Sequence, residues 1–378
     1  MMGLLIIGGA NTRRLCLGSV YCASVIDREE LLSSFVHDLD QAPWVALDTE
    51  ADSLHAYPEK LCLIQISVPD SDVLIDPLAG MEMKGFFASL YHKTLIMHGA
   101  DYDIRLFKMG HAFVPGRIFD TMIAARLVGR RHFGLSHLTK EILGIELEKT
   151  SQKANWAKRP LTSKMREYAI NDTKYLEPLA GALRSELEAI DRTAWHEQEC
   201  KRLIRDNSNI NNSDPDRDWR IKGSARLEPK ALSVLRGLWC WREKEAIRRN
   251  RPPYFVLPPE AMVRISEGAA QGSEIGQWLP RRIPDHRRRE IRKCIKDSTS
   301  SPADRWPNPH KAPPRKHITP LQKKRFEEIQ KERNRRAADL NIDPTIIASR
   351  ATMVKLACEA EGVLDDVLPW QQKLLGMT

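Results

Sequence analysis

Two acidic residues, Asp48 and Glu50, close the apolar run Trp44-Val45-Ala46-Leu47-Asp48-Thr49-Glu50. In an extended segment side chains alternate, so both carboxylates point to one sheet face while Val45, Leu47 and Thr49 point to the other. Such a pair attracts a hard cation. A strand end running into a solvated acidic loop has the same local sequence, so the decision rests on residues further along. In His98-Gly99-Ala100-Asp101-Tyr102-Asp103 a strand ends at Gly and a helix begins with two Asp residues. Asp101 fits a helix N-cap with Arg105 as its i,i+4 partner, whereas Asp103 shares the apolar face of Phe107 and is aimed at the sheet. In Tyr168-Ala169-Ile170-Asn171-Asp172 the first and last residues lie on one helical face, which continues through Tyr175, Leu176, Leu179 and Leu183. A carboxylate in an inward stripe is costly unless it is paired or bound to a metal.

Four carboxylates meeting at one place repel each other, which raises some of their pKa values and favours divalent ions. All-oxygen ligands suit Mg²⁺ or Mn²⁺ far better than Zn²⁺. Two such ions about 4 Å apart clamp the attacking and leaving oxygens of an in-line phosphoryl displacement, so the expected chemistry is phosphodiester hydrolysis. Tyr168 is expected to orient the attacking water, because neutral Tyr is a poor base at pH 7. His98 is a candidate substrate contact, with a structural role at a strand end as the alternative. Trp156 and Arg159 are candidates to stack on a base and hold a phosphate, against a buried Trp with a capping Arg. Asp52, Asp76 and Asp120 read as turn or cap residues.

These side chains need a scaffold, and the first half alternates in a way that provides one. Strands are expected at 21–26, 43–50, 61–68, 72–76 and 94–98. Helices are expected from Asp27 through His37, near 81–91, from Gly99 through Met109, near 120–129 and 136–143, and as one long helix over 163–190. Strands followed by strand–helix alternation indicate a mixed α/β sheet with helices against it.

With 378 residues, 42% of them hydrophobic and 29% charged, the chain has room for two or three globular domains. No apolar run reaches the roughly 20 residues that span a bilayer, so no membrane partner is expected. Met1 to Ala10 is apolar, but Arg13-Arg14 follow it, the wrong order for a secretory signal, and residues 1–20 read as an N-terminal extension. Seven cysteines without a Cys-x-x-Cys pair argue against a disulfide framework and a thiolate zinc site, and for a cytoplasmic location. Residues 1–190 hold 21 Lys+Arg against 24 Asp+Glu, and residues 191–378 hold 38 against 26, so the halves carry −3 and +12. That asymmetry suits a polyanion held by one part and processed by the other. Arg281-Arg282, Arg287-Arg288-Arg289, Lys323-Lys324-Arg325 and Arg333 to Arg336 are the clusters expected to meet phosphates.

Strand signals almost vanish after residue 191. Asn207 to Asp218 and the proline-rich Ser298 to Pro314 read as linkers. Pro229, Pro253, Met262 and Val263 recur as Pro320, Pro344, Met353 and Val354, and Leu235, Leu238 and Ala246 as Phe326, Ile329 and Ala337, all at an offset of 91. Two copies of one small helical module are therefore expected.

Asp48-Thr49-Glu50, Leu61-Cys62-Leu63-Ile64-Gln65-Ile66, His98-Gly99-Ala100-x-x-Asp103 and Tyr168-x-x-x-Asp172 together resemble the exonuclease motifs of the DEDD superfamily in its tyrosine-bearing branch. Asn155 to Leu161 is similar to ribonuclease D in particular, and Trp219 to Gly223 with Leu235, Trp239 and Trp241-Arg242-Glu243 is similar to the HRDC module, of which that family carries two. The resemblance covers about residues 21–378. It implies an RNase H-like mixed sheet flanked by helices over 21–190, then two all-α HRDC-like domains over 212–297 and 315–378 joined by a linker at 298–314. It also implies that Asp48, Glu50, Asp103 and Asp172 ligate two metal ions, that Tyr168 holds the water, and that nucleoside monophosphates are removed 3′ to 5′ from the single-stranded 3′ ends of tRNA precursors and other structured RNAs. A monomer is expected. Ala51 stands where many relatives carry a bulkier residue, and the second helical copy lacks counterparts of Trp239 and Trp241. A DNA exonuclease with the same chemistry, and a catalytically idle nucleic-acid-binding protein, are the competing readings.

Overall fold

The computed structural model describes residues 24–148, 150–208, 214, 216–309, 319–360 and 362–377. The expected extension at 1–20, the start of the first strand and parts of both linkers lie outside the described residues. The sheet is built from β1 (Ser24–Ile26), β2 (Val45–Ala51), β3 (Leu61–Val68), β4 (Ser71–Ile75), β5 (Thr94–Met97) and β6 (Arg117–Asp120), in the order β1-β4-β3-β2-β5-β6. β2 runs antiparallel to β3 and parallel to β5, so the strand carrying Asp48 and Glu50 lies inside the sheet. β3 is buried along its whole length, consistent with its unbroken apolar sequence. β6 has only four residues and no long apolar run to announce it.

Helices α1 (Glu29–Gln41), α2 (Lys84–Tyr91) and α3 (Asp101–His111) cover one face, where Val45 and Leu47 of β2 and Ile64 and Ile66 of β3 pack with Leu32, Phe86 and Phe107. Helices α4 (Thr121–Leu127), α5 (Leu135–Leu138), α6 (Ser163–Lys174) and α7 (Leu176–Ala189) follow, and α6 lies on the other face, over Leu63 and Leu74. The single helix expected over 163–190 is thus two. Pro178 has no N–H for the Lys174 carbonyl, and its ring clashes with a continuing helix, so the chain breaks at Tyr175 (φ −103°, ψ 4°). Helix α8 (Thr193–Ser208) packs on α3, α4 and β6, so the helical layer of this domain continues past residue 190.

The remaining helices are α9 (Pro229–Arg249), α10 (Pro253–Val256), α11 (Pro259–Ala270), α12 (Asp285–Thr299), α13 (Pro320–Asp339), α14 (Pro344–Ile347), α15 (Arg350–Ala357) and α16 (Pro369–Leu374). The starts of α9, α10 and α11 recur 91 residues later as those of α13, α14 and α15. The two sets bury their apolar faces differently. Helices α9 to α12 close their own core around Trp219, Leu235, Leu238 and Met262. Ala337, Ile347, Met353 and Trp370 instead join Ala46, Phe119, Leu179 and Leu183 in a core shared with the sheet. Trp370 stacks on Trp195 of α8 at 4.5 Å, and the buried Arg192 donates to the carbonyls of Leu127 and Leu340. The first helical unit meets the sheet domain at the loop after β2, where the Tyr57 hydroxyl donates to Glu243 and its N–H to Asn250 Oδ1.

Candidate active site

β2 and α6 build the centre of the site. Ala46, Asp48 and Glu50 share one face of β2, and the ladder to β3 is irregular at Glu50/Ala51, where the strand leaves the sheet. The Thr162 hydroxyl accepts from the Met165 N–H and starts α6, which carries Tyr168 and Asp172 one turn apart across that face. Carboxylate oxygens of Asp48, Glu50 and Asp172 come within 4.8 Å of one another. Among the described residues no other group of potential metal-ligating side chains is this close.

Asp103 is not part of that triplet but adjoins it. It lies in the first turn of α3, 6% exposed, and its Oδ1 accepts from the Thr49 hydroxyl. The expected cap role of Asp101 does not materialise: Ala100 is the N-cap, and its N–H donates to Asp120 Oδ2 at 2.8 Å. Asp101 is exposed and pairs with Arg105 at 3.2 Å. Asp120 also accepts from the Met122 and Ile123 N–H groups, so one carboxylate ties the starts of α3 and α4 together. Asp76 likewise caps a short turn, and Asp52 accepts from the Lys60 N–H, as expected of turn residues.

Burial and mutual repulsion act together on the cluster. Asp48 is held well above the carboxylate range by burial and by the charges of Asp103, Asp172 and Glu50, against one opposing hydrogen bond from the Thr49 backbone. Glu50 is pushed up to about 9 by burial, then by Asp172 and Asp103. Burial lifts Asp172 to about 7, with a hydrogen bond from Tyr168 opposing it. Asp103 rises to about 6 through burial, with the Thr49 hydroxyl as the main restraint. The Tyr168 hydroxyl is driven far up by burial and by Asp172, Glu50 and Asp48, so it stays protonated and donates to Asp172. Oxygen-only donors whose charges repel fit a hard divalent cation, and Mg²⁺ or Mn²⁺ better than Zn²⁺.

The substrate-contact candidates separate. His98 is half-buried, with Nδ1 2.9 Å from the Thr121 hydroxyl, which itself donates to the Met97 carbonyl. Burial lowers its pKa, so it stands as a neutral imidazole at neutral pH. Trp156 is 1% exposed in a core with Leu63, Leu74 and Met165, which closes it to a stacking base. Arg159 is committed internally: Nε and Nη2 hold Asp76 at 2.5 and 2.6 Å, and the guanidinium also donates to the Trp156 and Cys62 carbonyls. Both therefore support the wall behind Tyr168, whose ring centroid is 6.1 Å from that of Trp156. The sequence reading gives Thr49 no site role, although a hydroxyl between the two candidate ligands Asp48 and Glu50 was the available signal.

Several of the basic residues are also engaged within the protein. Arg287 binds the buried Glu245 at 2.6 Å, Arg333 donates to the Ala348 carbonyl, and Arg335 and Arg336 bind Glu332. Arg281, Arg282 and Arg289 are exposed.

A family model described as a 3′-5′ exonuclease matches residues 23–188, the sheet and its helices, and an HRDC domain model matches residues 231–272. Ribonuclease D of Pseudomonas paraeruginosa is 31% identical over 302 residues, covering 74% of this chain and 76% of the relative. The chain belongs to the ribonuclease D family. The ribonuclease D of Zymomonas mobilis is 35% identical over 240 residues, covering 62% of this chain and 61% of its own, and that of Jannaschia sp. is 30% identical over 232 residues, covering 59% and 60%. The chain thus spans about 60% of the length of these two ribonuclease D relatives. Escherichia coli RNase D, described as an exoribonuclease involved in structured RNA processing, shares the fold with a TM-score of 0.73 at 24% identity, over 94% of this chain and 96% of its own. A protein from Bifidobacterium adolescentis does so with a TM-score of 0.76 at 22% identity, over 93% and 94%. No helix among the described residues is long and apolar enough to cross a membrane.

Proposed function

We propose that this chain is a metal-dependent 3′–5′ exoribonuclease that hydrolyses the terminal phosphodiester of RNA and releases nucleoside 5′-monophosphates. The approach of the Asp48, Glu50 and Asp172 oxygens to within 4.8 Å of one another, beside Tyr168, carries the reading. With Asp103 these residues would hold two Mg²⁺ or Mn²⁺ ions. Bound there, such ions activate water and neutralise charge developing on the phosphate. Tyr168 places the attacking water through its hydroxyl, and the Asp172 carboxylate fixes that hydroxyl. As a protonated phenol it does not act as the base. His98 would be a contact for the substrate's 3′ end.

The recurrence of three helix starts at an offset of 91 supports a second HRDC-like unit over α13 to α16, docked on the catalytic domain rather than free to reach RNA. The exposed Arg281, Arg282 and Arg289 of the first unit would hold the body of a folded RNA, such as a tRNA precursor, while its single-stranded 3′ end reaches the carboxylates. The protein would act as a cytoplasmic monomer of the tyrosine-bearing branch. Nucleotide release from matched RNA and DNA oligomers, each with Mg²⁺, Mn²⁺ or EDTA, tests the reading. It requires 5′-monophosphates from RNA with either ion and none with EDTA. Faster release from DNA would favour the DNA exonuclease, and no release would leave a binding protein.

A further inference from the structure

Gln65 lies inside β3, 0% exposed, and neither its Oε1 nor its Nε2 has a hydrogen-bond partner. A buried carboxamide with both ends unpaired is costly. A hydrophobic residue would suit the position better if packing were its only duty. Its surroundings indicate another. Gln65 is the direct antiparallel partner of Asp48, so the two side chains share a face with Cβ atoms about 5 Å apart. On its other side it pairs with Leu74, which is apolar. Ser67, two residues along the same face, is occupied with Asp72 and Thr173. α6, which brings Asp172, covers this face. The nearest charged group on its ladder is therefore the Asp48 carboxylate, whose one opposing hydrogen bond comes from the Thr49 backbone.

We propose that Gln65 is a positioning residue for Asp48: its side-chain amide, unpaired in this structure, would donate across the β2–β3 pair to the ionised Asp48 carboxylate and fix which carboxylate oxygen faces Glu50 and Asp172. The inference rests on the metal-site reading above. It assigns a duty to the one polar residue of the Leu61–Ile66 run, which neither the ligand set nor Tyr168 accounts for. A carboxylate free to rotate in the triplet binds an ion less well, and removing the group that orients a ligand typically costs 10–100-fold in metal affinity.

The full chain carrying Gln65→Leu, and separately Gln65→Met, which matches glutamine in length, tests this by two readouts. One is Mn²⁺ titration by calorimetry, and the other is thermal melting of the metal-free protein. The expected result is Mn²⁺ affinity weakened about 10–100-fold with a metal-free melting temperature equal to or above that of the unsubstituted chain. Unchanged Mn²⁺ affinity in the Met variant overturns the inference, and so does a melting temperature lowered in both variants, which would make Gln65 structural. Absence of Mn²⁺ binding by the unsubstituted chain would instead overturn the metal-site reading on which the inference stands.

Discussion

The Thr49 hydroxyl donates to Asp103 Oδ1, joining a residue of β2 to the first turn of α3 across 54 positions of sequence. That bond is the principal restraint on a buried carboxyl that burial pushes up to about 6. Thr49→Val keeps the shape and removes the donor, so stability of the metal-free protein should fall by about 1.5–3 kcal/mol near pH 7, the usual worth of a hydrogen bond to a charged group. Urea denaturation measures it. The same variant should bind Mn²⁺ more weakly, because Asp103 takes up a proton more readily.

Asp48 stands among like charges, so Asp48→Asn should abolish nucleotide release while leaving the metal-free protein as stable as before or more stable. Marked unfolding of this variant would show that the carboxylate serves the fold instead.

The same repulsion gives the metal-free protein a definite pH dependence. Glu50, raised from 4.5 to about 9, keeps its proton in the folded state where the unfolded chain has lost it. The folded state then binds more protons, so stability falls as pH rises from about 4.5 to about 9. Asp103 and Asp172, raised to about 6 and about 7, add to the fall at the acidic end of that window, and Asp48 shifts in the same direction. Melting curves across this range should show it in EDTA, and saturating Mg²⁺ or Mn²⁺ should offset it, since ligation requires the deprotonated carboxylates.

Tyr168→Phe removes the hydroxyl but not the ring that lies against Trp156. Single-turnover release should slow by about 10²-fold, the order expected when a reacting group is misplaced. Mn²⁺ affinity should change little, because the ligand oxygens belong to other residues. A parallel loss of metal binding would mean that Tyr168 serves chiefly to hold Asp172.

Arg159 should behave as part of the wall. Arg159→Ala leaves Asp76, 6% exposed, without its two guanidinium bonds, and frees the Cys62 and Trp156 carbonyls. Breaking such a pair costs about 3–5 kcal/mol, to be read by denaturant unfolding. Among molecules still folded, the KM for RNA should be unaltered, and a selective rise in KM would restore the phosphate-contact role. Trp370→Ala should cost a similar amount, about 3–5 kcal/mol, because Trp370 is 4% exposed and stacks on Trp195.

The carboxylate set was legible in the sequence because its spacings are local. Asp48 and Glu50 are two apart on a strand, and Tyr168 and Asp172 are four apart on a helix, and those periods fix shared faces whatever else the chain does. The internal repeat was legible for a similar reason: a proline at the start of a helix marks its position, and two such marks, Pro229 with Pro320 and Pro253 with Pro344, recur in one register. The break at Tyr175 was available from Pro178 but was outweighed by the apolar stripe that runs through it.

The tertiary structure alone decided how side chains without a periodic signature are used. Trp156 and Arg159 have the composition of a nucleic-acid contact, yet the partner that claims Arg159 is Asp76, 83 residues earlier, and Trp156 is sealed by β3, β4 and α6. The two helical units start alike in sequence, but one closes its own core and the other lends its apolar face to the sheet. The physical reason is common to both cases. Local periodicity says which residues share a face, whereas burial and pairing energies depend on what another part of the chain brings against that face, and only the packed molecule determines that.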